Sequence, residues 1–410
     1  MLNKEGQREL AYVVYIDDIQ PIEGKDRVEC AVVGGWTIMV RKGQFQIGDP
    51  AIYFEIDSKV PETEPFEFLA QKHYKIKTQK YGKFYSQGLL MAAEDFGWEI
   101  GSAQFAGGFL YIVDDEGVQH YPGNECAFLT KKLGVTYYDP ADNARKGSGI
   151  DKYKKMAGRH PKIFRNPIIK WIYKRDWGKK FLFIFFGKKK DNRNWPQWVV
   201  KTDEERIQNM PFILKDKCEW IATEKIDGTS TTFTMKRGKF GTNDFYVCSR
   251  NVVFDKSDKK CFYDTNVYVE MAEKYNIENV LAEILKKDNS LEFVTIQGET
   301  YGEGVQKRNY SLKGHDFMAF NLIFKRKNEA PVRLNPIQMT TFLAEYWIPC
   351  VPIVNQHFIL PDTVEELLAY ATDHSMVDGG MREGVVFRDY NGERSFKAVS
   401  NEFLMKYHNG

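Results

Sequence analysis

A lysine followed two residues later by an Asp-Gly pair is the part of this chain best suited to chemistry. Lys225 lies in the run Glu224-Lys225-Ile226-Asp227-Gly228, which leads into a threonine-rich strand. Its amine could act as a covalent nucleophile toward a nucleotide phosphate. A free ammonium has a pKa of about 10.4, so the site must favour the neutral amine by roughly 4 kcal/mol, through burial or neighbouring positive charge. The alternative is a surface lysine beside an Asp-Gly turn.

Further residues downstream could complete a nucleotide site. They are Arg250, Glu299, Phe320, Glu383 and Lys397. Carboxylates can hold a hydrated divalent cation and ribose hydroxyls, cations can hold phosphates, and an aromatic ring can stack on a base. Taken singly, Arg250 and Glu383 could be exposed surface residues, Glu299 a turn cap and Phe320 a core residue. Their order after the Lys-x-Asp-Gly run favours a nucleotide site over these separate alternatives.

The composition indicates a well-packed globular protein long enough for two or three domains. The chain has 410 residues, of which 43% are hydrophobic and 14% aromatic. Its 6 cysteines are scattered and form no Cys-x-x-Cys pair, so neither a disulfide framework nor a structural zinc site is predicted. The N-terminus does not resemble a signal peptide, and the densest apolar run, residues 181–186, is far too short to span a bilayer. We therefore expect a cytoplasmic, monomeric protein without a membrane partner.

A basic island interrupts a chain whose net charge is only +2. Residues 145–193 contain 17 Lys and Arg against 3 Asp, which is a local charge of +14 and leaves −12 for the remainder. Aromatic residues lie between these cations, and that mixture suits a phosphate backbone with stacked bases. A solvated linker, or a segment that touches a membrane or a protein partner, is the alternative. For this island we expect neutralisation of Lys188, Lys189 and Lys190 to weaken RNA binding.

The periodicity of the chain predicts an α+β protein with three regions. Residues 1–140 show short alternating strands broken by Gly-containing turns, which is typical of a small closed barrel. Residues 141–200 have broken periodicity and form a connector or insertion with short helices. Residues 201–410 mix strands with flanking helices. The helices are predicted at 266–287, 336–346 and 363–374.

The order of motifs from Lys201 to Lys406 resembles the covalent nucleotidyltransferase superfamily of DNA ligases, RNA ligases and mRNA-capping guanylyltransferases. The resemblance implies that Lys225 becomes linked to AMP and that Arg250 contacts phosphate or substrate. It implies that Glu299 faces the ribose and metal, that Phe320 stacks on the purine, and that Lys397 contacts the α-phosphate. The resemblance also implies that Glu383 and Asp227 contact a metal ion, mainly through water. The catalytic set is then Lys225, Glu299, Glu383 and Lys397, and the nucleotide-binding set adds Glu224, Ile226, Asp227, Gly228, Arg250 and Phe320.

Two features favour one branch of this superfamily. Only 13 residues follow Lys397, too few for the C-terminal OB domain of DNA ligases and capping enzymes. Segments such as Gly35-Trp36, Ile47-Gly48-Asp49 and Ser86-Gln87-Gly88-Leu89 resemble the OB domain that precedes the transferase in one group of RNA ligases. Many relatives have a second lysine two residues before the last one, where this chain has Ser395.

The resemblance implies an ATP-dependent RNA ligase that uses Mg²⁺ or Mn²⁺. Lys225 attacks the α-phosphate and expels pyrophosphate, AMP moves to a 5′-phosphate RNA end, and a 3′-hydroxyl then displaces AMP. It also implies a second metal through which the OB domain orients the leaving pyrophosphate. Glu55 or Asp57 could be a donor, and each could equally be a strand-end or turn residue of the barrel. A capping-type guanylyltransferase that uses GTP, or a non-catalytic RNA-binding protein with a degenerate transferase, remains the alternative.

The last two motifs allow a geometric prediction. Tyr390-Asn391-Gly392 joins two strands, and Asn-Gly favours a tight hairpin. Since side chains alternate along a strand, a two-residue loop would place Glu383 and Lys397 on opposite faces. A three-residue loop that pairs Asp389 with Glu393 would place them on one face. We predict the three-residue loop, with Gly392 at positive φ.

Overall fold

The computed structural model describes residues 1–4, 7–103, 108–123, 125–137, 161–186, 195–201, 203–238, 242–254, 263 and 265–408. The chain forms two compact units, one made of Met1–Tyr138 and Val199–Gly410 and the other of Asp139–Trp198. The three predicted domains, with boundaries at residues 140 and 200, stay a prediction. The prediction for Lys188, Lys189 and Lys190 falls outside the described residues. None of the described helices is long and apolar enough to cross a membrane.

Short antiparallel strands build the N-terminal region of the larger unit. They are β1 (Ala11–Tyr15), β2 (Asp18–Pro21), β3 (Val28–Val33), β4 (Trp36–Arg41), β5 (Pro50–Phe54), β6 (Ser58–Lys59), β7 (Lys75–Ile76), β8 (Gln79–Tyr81), β9 (Phe84–Ser86), β10 (Leu89–Met91), β11 (Glu99–Ser102), β12 (Leu110–Val113), β13 (Gln119–His120) and β14 (Thr136–Tyr137). The strand order is β1-β5-β10 in one sheet and β2-β3-β4 in another. Alternating side chains of β4 are buried, as the sequence pattern predicts for a strand with one face in a core.

Two antiparallel sheets form the C-terminal region. Their strands are β15 (Glu219–Lys225), β16 (Thr229–Arg237), β17 (Asn243–Cys248), β18 (Val253–Phe254), β19 (Leu291–Gly302), β20 (His315–Arg326), β21 (Val332–Arg333), β22 (Ile353–Ile359), β23 (Gly384–Asp389) and β24 (Ser395–Val399). One sheet has the order β22-β15-β23-β24 and the other β18-β17-β16-β19-β20-β21. Consecutive strands β15 and β16 belong to different sheets, so the three residues between them cross from one sheet to the other.

The predicted helices form, with one interruption. The described α-helices are α1 (Pro161–Phe164), α2 (Pro167–Tyr173), α3 (Asp176–Phe186), α4 (Val267–Lys274), α5 (Ile277–Lys287), α6 (Pro336–Ala344), α7 (Val364–Ala371) and α8 (Asn401–Phe403). Asn276 adopts a left-handed conformation with φ of 49°, which divides the predicted helix 266–287 into α4 and α5. Apolar residues of both helices join the six-stranded sheet in a common core. The predicted α+β class, with antiparallel sheets and flanking helices, is confirmed.

The hairpin between β23 and β24 differs from the prediction. Arg388 pairs with Ser395 and the Asp389 amide donates to the Arg394 carbonyl at 3.1 Å, so four residues, 390–393, form the loop. The predicted three-residue loop is wrong because the Asp389 carboxylate accepts hydrogen bonds from the amides of Glu393 and Arg394 and stabilises the longer turn. Gly392 has φ of 73°, as predicted.

The longer loop does not separate Glu383 from the site. In this register strict alternation would place it on the face opposite Lys397. Glu383, however, precedes the first residue of β23, and its side chain reaches the Lys225 amine at the end of β15.

Glu55 joins the N-terminal strands to the C-terminal region. Its buried carboxylate accepts hydrogen bonds from Arg8, Tyr12 and Asn209. Burial would raise the pKa of Glu55, but the positive charges of the chain's amino terminus and Arg8 lower it to about 2. Both carboxylate oxygens take part in these contacts, and the expectation that Glu55 donates to a second metal stays a prediction. Asp57 is partly exposed and lies 3.3 Å from an Arg206 nitrogen.

Gly384 provides a test of how closely β23 and β24 must pack. A Cβ added at Gly384 would lie 2.3 Å from the Ala398 carbonyl oxygen. We expect Gly384→Ala to lower the free energy of unfolding by about 1–3 kcal/mol, because backbone atoms must move. The measurement is urea unfolding followed by tryptophan fluorescence.

The matched control is Gly82→Ala in the β8–β9 turn. Gly82 has positive φ, unlike Gly384, and an added Cβ there meets nothing within 4 Å. We expect at most about 1 kcal/mol of destabilisation there, from backbone strain alone. Equal effects of the two substitutions would show that the close approach at Gly384 is unimportant.

Candidate active site

Lys225 lies where the chain passes from one sheet of the transferase region to the other. It is the last residue of β15, and β16 begins after Ile226, Asp227 and Gly228. The Asp227 amide donates a 2.7 Å hydrogen bond to the Tyr310 hydroxyl, which holds the turn. Only glycine fits at position 228, since an added Cβ would lie 2.3 Å from the Thr300 carbonyl oxygen. The lysine side chain thus starts from a tightly positioned backbone.

Carboxylates surround the Lys225 amine. Its Nζ lies 2.7 Å from Glu383 Oε1, and the lysine side chain is 25% exposed. Burial lowers the pKa of Lys225, but the negative charges of Glu383, Glu299 and Asp227 outweigh it, so that the pKa is raised. In the free protein the amine is therefore an ammonium in an ion pair. The neutral amine that nucleophilic attack requires has to come from added positive charge when the nucleotide binds.

The same crowding perturbs the carboxylates. Burial is the largest cause that raises the pKa of Glu299, to about 8, and the neighbouring acids Glu383 and Asp227 add to it. Burial and Asp227 likewise raise the pKa of Glu383, against the lowering effect of Lys225. Several acids that share one amine cannot all ionise at low cost, and such groups are typical of functional sites.

Two buried oxygens at this site fit a hydrated metal ion. Glu383 Oε2 and Asp227 Oδ2 are buried without a hydrogen-bond partner among the described residues. In the same part of the chain no group of three or more His, Cys, Asp or Glu side chains is arranged to hold a metal directly. Mg²⁺ commonly keeps several waters and contacts only one or two carboxylates. The donor set therefore suits an ion held mainly through water.

Lys397 lies in β24 on the same face of the four-stranded sheet as Lys225. The register pairs Thr223 with Val386 and Val386 with Lys397, and Lys225 is two residues beyond Thr223. Burial and the positive charges of Arg8 and Arg206 lower the pKa of Lys397 to about 7. The site thus has an acidic side around Lys225 and a cationic side around Lys397.

Ser395 occupies the position where many relatives have another lysine. Its hydroxyl donates to the Glu204 carboxylate and accepts from Arg333 at 3.2 Å. The same Glu204 lies 3.0 Å from Arg388, which is buried. Glu204 thus pairs with arginine near Ser395. Lys397 faces the site without a lysine at position 395.

The remaining predicted residues divide into two groups. Ile226 and Phe320 belong to one apolar cluster with Tyr301 and Tyr310, in which Phe320 is half-buried. Arg250, in contrast, forms an ion pair with Asp203.

Glu224 has buried partners of its own. Its carboxylate accepts hydrogen bonds from the Ser375 hydroxyl and, at 2.8 Å, from the Met376 amide. Burial raises the pKa of Glu224. In the free protein, therefore, Glu224 holds the loop that contains Ser375, and its place in the nucleotide-binding set stays a prediction.

Two site residues escaped the sequence analysis. His408 Nε2 lies 3.5 Å from Asp227 Oδ1, and the His408 carbonyl accepts a 2.9 Å hydrogen bond from Lys77 of the N-terminal region. Burial lowers the pKa of His408, but Asp227 and Glu383 raise it further, so the net shift is upward. Arg206 lies beside Lys397 through a parallel bridge between the two residues. Arg206 lies within the region Lys201–Lys406 whose motif order resembles the superfamily, whereas His408 lies outside it.

Comparisons with known proteins agree with this geometry. Residues 218–408 match the RNA ligase family model, and residues 10–93 match a PHA02142 OB-fold domain. Three similar solved structures are Naegleria gruberi RNA ligase with pyrophosphate, a mutant of it with ATP and Mn, and another mutant with AMP and Mn. Each has 25% sequence identity and a TM-score of 0.69, over 98% of this chain and 99–100% of the other. No curated protein matches the chain in sequence.

The fold and the comparisons define a covalent nucleotidyltransferase domain preceded by an OB-fold domain. The predicted N-terminal OB domain is confirmed. The chain is an enzyme, an RNA ligase similar along its length to the Naegleria enzyme.

The lowered pKa of Lys397 makes stability depend on pH. Its folded pKa of about 7 lies below that of an unfolded lysine, so the unfolded state binds more protons between about pH 7 and 10.5 and stability rises with pH in that window. We expect Lys397→Met to raise the free energy of unfolding by about 1–3 kcal/mol near pH 6, where wild-type Lys397 is charged, and by much less near pH 10. Thermal unfolding at both pH values measures this difference.

The control for this experiment is Lys286→Met on the exposed side of α5. Lys286 lies in the last turn of the helix and is solvent-exposed. We expect a change within about 0.5 kcal/mol at both pH values. A Lys397→Met protein that is less stable than wild type near pH 6 would contradict the destabilising charge.

Proposed function

We propose that the chain is an ATP-dependent RNA ligase that joins 3′-hydroxyl and 5′-phosphate RNA ends through a lysyl-AMP intermediate on Lys225. The observation that carries the proposal is the Lys225–Glu383 ion pair, in which the glutamate is buried, with Asp227 and Glu299 acting on the same amine. The RNA ligase family match and the similarity to an enzyme solved with ATP and with AMP support ATP as the nucleotide donor. The Mn in those structures supports a divalent metal cofactor.

The positions of the side chains suggest how the first step proceeds. Phe320 and Ile226 provide an apolar surface for the adenine, and Glu299 is the acid that faces the ribose. Lys397, with Arg8 and Arg206 behind it, provides the positive charge for the phosphates. An approaching phosphate would also favour the charged form of Lys397, whose pKa in the free protein is about 7. Lys225 is then held in line with the α-phosphate from a fixed backbone.

The metal site consists of Glu383 and Asp227, with their unpaired buried oxygens. A divalent ion, when bound there, supplies positive charge that stabilises the α-phosphate and favours the neutral Lys225 amine. Glu383 holds the lysine as an ammonium in the free protein and must release it before attack. The ammonium first loses one proton to solvent, and the neutral Lys225 amine then bonds to the α-phosphorus as the bond to the bridging oxygen breaks and pyrophosphate leaves. The second proton of the nitrogen passes to solvent.

The later steps transfer the AMP to RNA. The 5′-phosphate end takes AMP from Lys225, and a 3′-hydroxyl attacks that phosphate to release AMP. Arg250, which is paired with Asp203 and lies 5.0 Å from the Tyr137 ring, is the residue we assign to phosphate or substrate contact. The proposal includes a monomeric enzyme in a reducing cytoplasm, consistent with five described cysteines that are free.

Nucleotide labelling tests the proposal. Incubation with α-labelled ATP and Mg²⁺ should label the wild-type chain, and Lys225→Ala should abolish the label because the amine is absent. The matched control, Lys217→Ala, removes an exposed lysine paired with Asp362 and should label normally. The products are resolved by denaturing electrophoresis, with labelled GTP in parallel.

Each outcome decides one part of the proposal. Label from GTP and none from ATP would favour a capping-type enzyme, and no label from either would support a non-catalytic RNA-binding protein. Label that persists in Lys225→Ala would refute the nucleophile. Sealing of 3′-phosphate and 5′-hydroxyl ends, with no sealing of 3′-hydroxyl and 5′-phosphate ends, would refute the proposed end chemistry.

A further inference from the structure

The helical segment Pro161–Phe186 exposes large aromatic side chains. Its small core contains Phe164 and Leu182, with Ile169, Ile172 and Tyr173 packed against them. Outside this core, Trp171 is 55% exposed, Trp177 58% and Phe181 47%. Trp177 and Phe181 are four residues apart on α3 and therefore lie on one side of that helix. Such a concentration of exposed aromatic surface on a short segment indicates a binding surface.

Basic side chains lie among these aromatic residues. The exposed ones are Arg165, Lys170, Lys174, Arg175 and Lys180. The Arg175 guanidinium lies 3.5 Å from the centroid of the Trp171 ring and donates a 3.1 Å hydrogen bond to the Trp171 carbonyl. The Arg175 cation therefore covers one face of the Trp171 ring. An exposed tryptophan ring beside a cation is a surface on which a nucleic-acid base can stack.

Charge decides what kind of partner fits this surface. Residues 145–193 carry +14, while the remainder of the chain carries −12. The negative remainder opposes a polyanion at long range, so an RNA ligase of this charge needs a separate cationic surface to retain its substrate. Alternating cations and exposed rings suit phosphates and unpaired bases, which present both negative charge and flat faces.

We propose that this segment is a binding surface for single-stranded RNA. Trp171 and Trp177 stack on bases, and Lys170, Lys174 and Lys180 contact phosphates. The inference rests on the proposed function for RNA as the substrate, but it does not depend on the chemistry at Lys225. Double-helical RNA has no free base faces for these rings, so the surface selects unpaired strands.

The first test replaces both exposed tryptophans, Trp171 and Trp177, in the full chain. Trp171→Ala with Trp177→Ala should weaken binding of a labelled single-stranded RNA by about tenfold or more, measured by fluorescence anisotropy without ATP, because stacking on each ring is lost. The control is Trp347→Ala, which removes a tryptophan that is 88% exposed in the transferase region. It should leave the affinity unchanged. Equal affinity in wild type and the double variant overturns the proposal.

The labelling reaction separates this proposal from the proposed function. The double variant should form lysyl-AMP from ATP as wild type does, since that step needs no RNA, while the KM for RNA in sealing rises. Loss of RNA affinity with normal lysyl-AMP formation supports the surface. A wild-type chain that binds RNA through these rings but forms no lysyl-AMP would contradict only the proposed function.

A second variant keeps the rings and removes charge. Lys170→Gln, Lys174→Gln and Lys180→Gln together should reduce the slope of log affinity against log salt by about 2, since each phosphate contact on a single strand contributes about 0.7. An unchanged slope would overturn the phosphate contacts. This variant preserves every buried residue of the segment's core.

Tryptophan fluorescence distinguishes RNA from a membrane surface. Emission in wild type, compared with Trp171→Phe and Trp177→Phe, should be quenched by oligoadenylate and should not change with vesicles that contain phosphatidylserine. A shift with vesicles and no quenching by RNA would identify a lipid surface and overturn the proposal.

Discussion

One lysine amine shared among three neighbouring carboxylates is the constraint on which this molecule depends. Lys225 lies 2.7 Å from Glu383, and Glu299 and Asp227 act on the same charge. Glu383 and Asp227 are buried, and because removing ions from water is costly, the three carboxylates beside one amine cannot all ionise at low cost. The free site is therefore electrostatically incomplete, and bound positive charge would relieve it. The elevated pKa of Glu299 and the unpaired oxygens of Glu383 and Asp227 are consequences of this imbalance.

The arrangement of the two sheets concentrates the carboxylates around Lys225. The chain changes sheets immediately after Lys225, so acids from both sheets meet at one turn. On the other side, the N-terminal OB domain contributes Arg8, which with Arg206 depresses the pKa of Lys397. Glu55 connects Arg8 with Asn209 and so joins the two regions. The acids beside Lys225 and the cations Lys397 and Arg206 thus come from the C-terminal region, and Arg8 comes from the N-terminal region.

Motif order predicted well which residues would meet, and less well how they would be arranged. Lys225, Asp227, Glu299 and Glu383 come together as expected because each lies on, or next to, a strand of strong hydrophobic pattern. The predicted length of the final hairpin loop was wrong because the Asp389 side chain stabilises a longer turn. Nothing in the local sequence pattern indicates that Asp389 would make these hydrogen bonds.

The amino-acid sequence was sufficient to predict the α+β class, and its motifs were sufficient to indicate the OB-fold domain and the RNA ligase family by resemblance. The fold class follows from local periodicity, and the resemblance follows from residue types in a fixed order, which the chain carries without folding. The tertiary structure alone decided that Lys225 is held as an ammonium, that Glu224 is engaged by Ser375, and that His408 reaches Asp227. Those facts depend on burial and on contacts between residues far apart in the chain, and neither is encoded in a local pattern.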